Sequence, residues 1–555
     1  MEKHTRLNDY IQEAIRAYWT SPALTDMGGD NFTYKDIARK IAKMHLLYEK
    51  SGIKPGDRIA ICGKNRSHWV IAFLSVITYG GVAVPLLPDF TPKDLENLLV
   101  HSDSRLLYID PKIWSKMDAN AVPGLEGALS LDDFSLLNCR NRKLKDARSN
   151  LNKIFGLRYP ERFSRDDVKY HEENLDDLCL ISYTSGSTGF SKGVMLPYRS
   201  LWSNIEYCFD LMPTEPGTNV VYMLPLAHMY GLTCDMLRSF VSGNHIHILM
   251  KAPSPSVVGK AMKAIRPRYV ITVPLVLEKV VRSEIFQVLN KPVMKLLIKV
   301  PVVDARLMHR IRSYLVDFFG GNIKEVMIGG AALNKDVELF LDKCGFPYSA
   351  GYGMTECGPF ITYAPTSDHR LGSCGRAVDR MEVQIDSPDP KKIAGVLRVK
   401  GDNVMLGYYK NPEATESALE EGWLTTGDLC TIDDDGFVYI KGRDKNMILG
   451  PSGQNIYPEE IEDKLNNMPY VTESLIIDAG NGRLVALIVP DMEAADAKGL
   501  GKKEIDDVMR ANLRQLNQLL PPYSHVKSFR LHRHEFEKTP KRSIKRYLYQ
   551  SILAR

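Results

Sequence analysis

Three short apolar runs, Arg58 to Cys62, Val82 to Leu87 and Arg105 to Ile109, are separated by stretches of helical length. A helix is expected from Ser67 to Tyr79, where Gly80-Gly81 breaks it, and another is opened by Thr91-Pro92 with Leu95, Leu98 and Leu99 inward. Strands alternating with helices require crossover connections, and these build a doubly wound, mostly parallel sheet. Upstream, Thr33 to Asp36 reads as a capping box, and Ile37, Ile41, His45 and Tyr48 then share one helical face. The most apolar stretch, Trp69 to Pro88, carries Ser75, Thr78, Tyr79 and the glycine pair near its middle. It reads as a buried helix, a turn and a strand, and not as a membrane span.

After Lys441-Gly442-Arg443 the units shorten. A helix near Pro458 to Asn466, strands near 474–478 and 484–489, a helix near 503–519, a strand at 526–531 and a final helix near 543–553 are expected. The fold class is therefore α/β: a large N-terminal domain (1–444) with doubly wound sheets, and a small, mobile α+β C-terminal domain (445–555). A chain of 555 residues with 44% hydrophobic and 25% charged residues excludes wholesale disorder.

Two segments stand apart. Residues 139–177 hold ten Lys or Arg among eight Asp or Glu with little periodicity, which reads as a solvated surface insertion. Residues 279–312 hold eight Lys or Arg against Glu284 and Asp304, interleaved with apolar runs such as Val293 to Val300. That is either a basic amphipathic helix lying on a membrane surface or a helix packed on the body with its lysines outward. The net charge of +5 favours no nucleic-acid partner. Nine cysteines, none in a CxxC pair, and a polar N-terminus without a signal-peptide core point to a reduced cytoplasm, with peripheral contact at the inner face of the membrane through 279–312.

The strongest chemical signal is Tyr183-Thr184-Ser185-Gly186-Ser187-Thr188-Gly189-Phe190-Ser191-Lys192-Gly193, which follows a strand-like apolar run. Three glycines permit tight turns with exposed amides, hydroxyls add donors and Lys192 adds charge, a combination suited to polyphosphate oxygens. It departs from the GxxxxGK[ST] loop, because Ser191 stands where the second glycine is required. In order along the chain follow Leu224-Pro225-Leu226-Ala227-His228-Met229-Tyr230-Gly231, Ile328-Gly329-Gly330-Ala331-Ala332, Gly351-Tyr352-Gly353-Met354-Thr355-Glu356, Gly422 to Asp428, and Gly442-Arg443-Asp444-Lys445. These offer a histidine between a strand and a helix, a smooth floor for a planar base, a ring with a hydroxyl and a carboxylate, and an acid and a base suited to ribose hydroxyls.

In this order the segments resemble the adenylate-forming (AMP-binding) superfamily of acyl-CoA synthetases, luciferases and peptide-synthetase adenylation domains. Residues 224–231 and 451–462 look most like bacterial long-chain fatty acid–CoA ligases. The resemblance implies a ligase of fatty acid and lipid metabolism that binds ATP with Mg²⁺, forms an acyl-adenylate and transfers the acyl group to CoA. By the same resemblance, Thr184, Ser185, Gly186, Thr188 and Lys192 hold the β- and γ-phosphates. Thr355 contacts the α-phosphate, and Glu356 binds Mg²⁺. Tyr352 stacks on adenine, Gly330 and Ala331 line the base, Asp428 and Arg443 hold the ribose, and His228 sits beside the substrate carboxylate. Lys445 is the hinge about which the small domain rotates between half-reactions.

Two positions depart from the family pattern. Ser191 replaces the proline before the loop lysine, and Ser543 occupies the column of the catalytic lysine in Thr539-Pro540-Lys541-Arg542-Ser543-Ile544-Lys545. In an extended chain Lys541 shares a face with Ser543 and is expected to take over; Lys545 ranks second because Ile544 to Leu548 reads as helical. Transfer to an acyl carrier protein in trans, and a non-catalytic adenylate-binding protein, remain as alternative readings.

Overall fold

A computed structural model describes residues 4–184, 191–289, 294, 300–450, 454–480, 482–539 and 544–550. Its largest sheet has eight strands in the order Gly407–Tyr408, Lys192–Pro197, Leu178–Thr184, Val82–Leu86, Arg58–Cys62, Leu106–Ile109, Gly127–Ser130, Leu136–Cys139. The five inner strands from Leu178–Thr184 to Gly127–Ser130 pair in parallel, and antiparallel partners close both edges.

Alternation explains why helices cover both faces of this sheet. Ile59, Ile61, Leu106 and Tyr108 face one apolar cluster, together with Trp69, Phe73 and Leu74 of the helix Ser67–Ile77. Ala60, Cys62, Leu107 and Ile109 face another, together with Leu95, Leu98 and Leu99 of the helix Pro92–His101. The predicted capping box forms, Thr33 capping Tyr34–Ser51 with Asp36, and a second one starts the helix that Thr91-Pro92 was expected to open, Thr91 capping Pro92–His101 with Asp94.

Beside it stand a four-stranded sheet (Asn219–Tyr222, His245–Ile248, Pro22–Asp26, Asn31–Thr33) and a parallel three-stranded sheet (Tyr269–Thr272, Glu325–Ile328, Tyr348–Ala350). A mostly antiparallel sheet follows, in which Trp423–Ile432 lies between Gly395–Gly401 and Val438–Arg443. Residues 454–550 contain a three-stranded sheet, Val471–Asp478, Leu484–Pro490 and Ser528–Leu531. The helices Pro458–Asn466 and Lys502–Gln518 pack against one face; Phe536 and Tyr549 cover the other.

Two expectations are corrected. Residues 139–177 are more than a solvated insertion: the helices Arg142–Ser149 and Leu151–Arg158 bury Leu144, Leu151 and Phe155 against the helix Tyr34–Ser51. Arg39 and Lys43 of that helix lie 5.6 and 5.4 Å from the Phe155 ring. The dense charge around a few well-spaced apolar residues hides the pattern.

The final helix near 543–553 is, among the described residues, a single turn at Arg546–Leu548. Ile544 instead bridges to Lys538, and the Lys545 amide donates to the Glu537 carbonyl at 2.8 Å, so tertiary pairing overrides local helical preference. Within 279–312, the helix Pro301–Phe318 buries Met308, Ile311 and Leu315 and exposes Arg306, Arg310 and Arg312. Most of the apolar run from Val293 to Val300 lies outside the described residues. No described helix is long and apolar enough to cross a membrane.

Candidate active site

The strands Tyr269–Thr272, Glu325–Ile328 and Tyr348–Ala350 run parallel and end together, where open α/β sheets bind their ligands. Immediately beyond Ile328, Gly330 and Ala331 are exposed, as a floor for a ligand requires. Gly330 adopts φ +86°, a left-handed turn that favours glycine, and among the described residues an added Cβ would approach only Val273 Cγ1, at 3.7 Å. The Gly351 amide donates to the Ile328 carbonyl, which carries the chain directly into Tyr352.

Tyr352 donates its hydroxyl to Asp428 Oδ2 at 2.5 Å, and Arg443 Nε lies 2.7 Å from Asp428 Oδ1. Asp428 and Arg443 are opposite partners on the neighbouring strands Trp423–Ile432 and Val438–Arg443, so sheet register builds this contact. Burial pushes the Asp428 carboxyl above its ordinary value, and the Arg443 charge opposes that shift. Burial, reinforced by Asp428, holds the Tyr352 phenol far above its ordinary value, so the hydroxyl keeps its proton and donates.

Glu356 follows in the turn Thr355–Cys357 and is buried. Tyr408 donates its hydroxyl to Glu356 Oε1 at 3.0 Å, and Lys192 Nζ lies 4.6 Å from the centre of the Tyr408 ring. Thr184 and Lys192 face each other across the antiparallel pair Leu178–Thr184 and Lys192–Pro197. The glycine-rich loop therefore springs from a hairpin whose base carries both residues. Ser185, Gly186 and Thr188 lie outside the described residues. Motif reading missed Tyr408, which stands in the short strand Gly407–Tyr408 and joins the loop lysine to the carboxylate.

His228 is partly exposed and sits just before the helix Tyr230–Leu237. Its segment is fixed from a distance: Asn65 Nδ2 donates to the Leu224 carbonyl at 2.7 Å, and the Leu226 amide donates to Asn65 Oδ1 at 2.9 Å. Asn65 was also missed, because no local pattern marks a side chain that serves residues far along the chain.

Lys445 is exposed within the turn Asp444–Asn446. Beyond it, Asn446 Nδ2 donates to Glu459 Oε1 at 2.6 Å. A polar seam joins the helix Pro458–Asn466 and Asn467 to the large domain. Asn334 Nδ2 donates to Asp463 Oδ1 at 2.9 Å and to Asn467 Oδ1 at 2.8 Å, and Arg282 Nη2 also donates to Asn467 Oδ1. Lys541 and Ser543 lie outside the described residues. Lys545 Nζ is 3.5 Å from Glu537 Oε2.

The family described as AMP-binding enzyme matches residues 11–409, and its C-terminal domain matches residues 445–553. The chain belongs to the AMP-binding enzyme family. ATP, Mg²⁺ and CoA fit this family. A long-chain-fatty-acid–CoA ligase of Escherichia coli O157:H7 is 28% identical, with 87% of this chain and 84% of the relative covered. The counterpart in Bacillus subtilis (strain 168) is 27% identical over 95% of this chain and 90% of its own. The probable acyl-activating enzyme 16 of Arabidopsis thaliana is 27% identical over 90% and 78%.

Among solved structures, the anthranilate CoA ligase AuaEII with anthranoyl-AMP superposes with a TM-score of 0.79 at 16% identity, covering 100% of this chain and 98% of the other. The O-succinylbenzoate coenzyme A synthetase of Bacillus subtilis with ATP and magnesium gives 0.74 at 20% identity, covering 97% and 98%. These likenesses establish the fold: a large N-terminal domain and a small C-terminal one.

Proposed function

We propose that the protein activates a medium- or long-chain fatty acid as acyl-AMP and transfers the acyl group to CoA. The observation that carries the reading is Asp428, held between Arg443 on the neighbouring antiparallel strand and the hydroxyl of Tyr352, which follows the parallel strand Tyr348–Ala350. A carboxylate oxygen attacks the α-phosphorus of ATP, the bond to the β-phosphate oxygen breaks, and pyrophosphate leaves. The CoA sulfur then attacks the acyl carbonyl, its proton passes to solvent, and AMP leaves.

Carboxylates acylate poorly because oxide and hydroxide are poor leaving groups, which AMP corrects. In-line phosphoryl substitution chiefly needs positioning and charge stabilisation. Thr184, Ser185, Gly186, Thr188 and Lys192 hold the β- and γ-phosphates in this reading, and Thr355 the α-phosphate. Tyr352, Gly330 and Ala331 hold adenine, Asp428 and Arg443 the ribose, and His228 flanks the carboxylate. Glu356 fits a hard cation: its buried carboxylate accepts one hydrogen bond from Tyr408 on Oε1 and is a hard oxygen donor of the kind that takes Mg²⁺ alongside phosphate oxygens. Bound there, Mg²⁺ supplies positive charge to the phosphates.

In the same reading the domain boundary falls at 444/445, with Lys445 the hinge. The names of the curated relatives and the apolar segments at 221–240 and 271–277 support a fatty acid. Each buried methylene contributes ~0.8 kcal/mol, so dodecanoate should exceed acetate in kcat/KM by several orders of magnitude. Pyrophosphate release with a panel of fatty and aryl acids tests this; equal values for acetate and dodecanoate, or a preferred aryl acid, would defeat the fatty-acid assignment. Exposed Val288 and Val300, together with exposed Arg306, Arg310 and Arg312 in the same segment, support a peripheral membrane contact through 279–312. Binding to anionic vesicles that weakens with salt is expected; equal binding to neutral vesicles at low salt would end that assignment.

A further inference from the structure

We propose that a cavity between the helix Tyr34–Ser51 and the segment 158–170 is a binding site for a small neutral aromatic molecule that carries one O–H or N–H donor. The cavity holds about 160 Å³, and no residue that lines it belongs to the candidate active site. One wall is the helix face at Ala38, Ala42 and His45, where two alanines one turn apart leave room that larger side chains would fill. The segment 158–170 does not collapse into that room because it is tied down at its end. Arg16 Nη2 donates to the Val168 carbonyl at 2.7 Å, the Tyr170 amide donates to Gln12 Oε1 at 3.1 Å, and the His171 amide donates to the Thr78 carbonyl at 3.0 Å. Phe163 is propped on Phe155 and Tyr159, with ring centroids 5.6 and 4.9 Å away.

The lining sets the class of ligand. Tyr79, Tyr159, Phe163 and Tyr170 present rings, which favour an aromatic guest through offset and edge contacts. His45 supplies the polar recognition. Its Nε2 lies 3.1 Å from both the Ser75 carbonyl and Thr78 Oγ1, and Thr78 gives its own proton to the Leu74 carbonyl. Both partners of Nε2 are therefore acceptors, so Nε2 carries the ring proton and Nδ1 is left as an acceptor. Burial lowers the imidazole from 6.5 to about 4, which keeps Nδ1 unprotonated at neutral pH and able to take a hydrogen bond. The exposed lining residues are Arg158 and Lys169 against Glu49 and Asp167, two charges of each sign, which favour no net charge in the guest. A cavity of about 150 Å³ accepts a benzene ring, so one ring with one donor is the size that fits.

The test is calorimetric titration of the full chain with phenol and with anisole, whose methyl group removes the donor and keeps the ring and the oxygen. Phenol should bind saturably, and anisole about fivefold more weakly or worse, the loss of one neutral hydrogen bond. Ala42→Leu places a larger side chain in the cavity and should abolish phenol binding, and Ala42→Val should weaken it. Circular dichroism that matches the wild type shows that each variant folds; if Ala42→Leu does not, Ala42→Val and the contrast between phenol and anisole decide. Saturating AMP should leave the affinity for phenol unchanged. The proposal is overturned by the absence of saturable phenol binding, by equal affinity for anisole, by full affinity in a folded Ala42 variant, or by displacement of phenol by AMP. None of these readouts depends on which acid the protein activates.

Discussion

Tyr352 and Asp428 are joined by a 2.5 Å hydrogen bond, although the sequence separates them by 76 positions. The residue expected against adenine and the residue expected against ribose are therefore one unit, aligned before any nucleotide arrives. Hydrogen bonds to a charged group contribute ~1.5–3 kcal/mol. Asp428→Asn should raise KM for ATP by about 10–100-fold. Tyr352→Phe should raise it less, since the ring is retained. Steady-state kinetics of pyrophosphate release read both, and an unaltered KM in Asp428→Asn would remove Asp428 from the nucleotide site.

Glu356 and Tyr408 form a second unit beside Lys192. Glu356→Ala should abolish acyl-adenylate formation, and raising Mg²⁺ should not restore it. Tyr408→Phe leaves the carboxylate in place but removes its donor, so adenylation should fall about tenfold, equivalent to ~1.4 kcal/mol. Mg²⁺ titration of the Tyr408 variant separates loss of metal affinity from loss of turnover.

Lys445, the proposed hinge, occupies an exposed turn at the first residue of the C-terminal domain match. Lys445→Pro fixes φ there. Pyrophosphate release should stay close to wild type while thioester formation from a supplied acyl-adenylate falls. Equal loss in both half-reactions would place the hinge elsewhere.

The missing lysine at Ser543 has two candidate replacements. Lys545 Nζ lies 3.5 Å from the Glu537 carboxylate and its amide donates to the Glu537 carbonyl, so its charge is already engaged. Lys541→Ala should therefore depress acyl-adenylate formation by on the order of 10²–10³, and Lys545→Ala should not. The reverse result transfers the role to Lys545.

Acidification has a defined stability cost at His45. Its Nε2 lies 3.1 Å from both the Ser75 carbonyl and Thr78 Oγ1, and burial lowers the imidazole from 6.5 to about 4. The unfolded chain protonates first, so the stability is fully present above pH 6.5 and is lost as pH falls towards 4. The loss from this group is on the order of 1–3 kcal/mol. His68 and His247, also lowered to about 4, lose stability in the same window. His45→Gln should show a shallower decline of Tm between pH 6.5 and 4 than the wild type, by differential scanning calorimetry.

Much of the site was readable because its motifs mark backbone demands. A Cβ on Gly353 would meet the Pro359 carbonyl oxygen at 2.1 Å, so a glycine at that point carries positional information. The doubly wound sheet was readable because Ile59 to Cys62 are buried on both faces, which forces an unbroken apolar run. Asn65 and Tyr408 were not readable, since each acts through contacts far along the chain on a segment with its own, stronger pattern. The ending near Ile544 misled for a related reason: the bridge to Lys538 and the packing of Tyr549 on Phe536 decide its shape, and neither is local.

The seam of Asn334, Arg282, Asp463 and Asn467 is made almost wholly of amides and charged groups. Water can take over each of those bonds as the two bodies part, so separation bares no greasy face at this joint. A hydrophobic joint would have to be torn open at every turnover, and once open would invite strangers. If the small domain rotates as proposed, this joint unlatches wet, and the motion gains a bearing that neither seizes nor clumps.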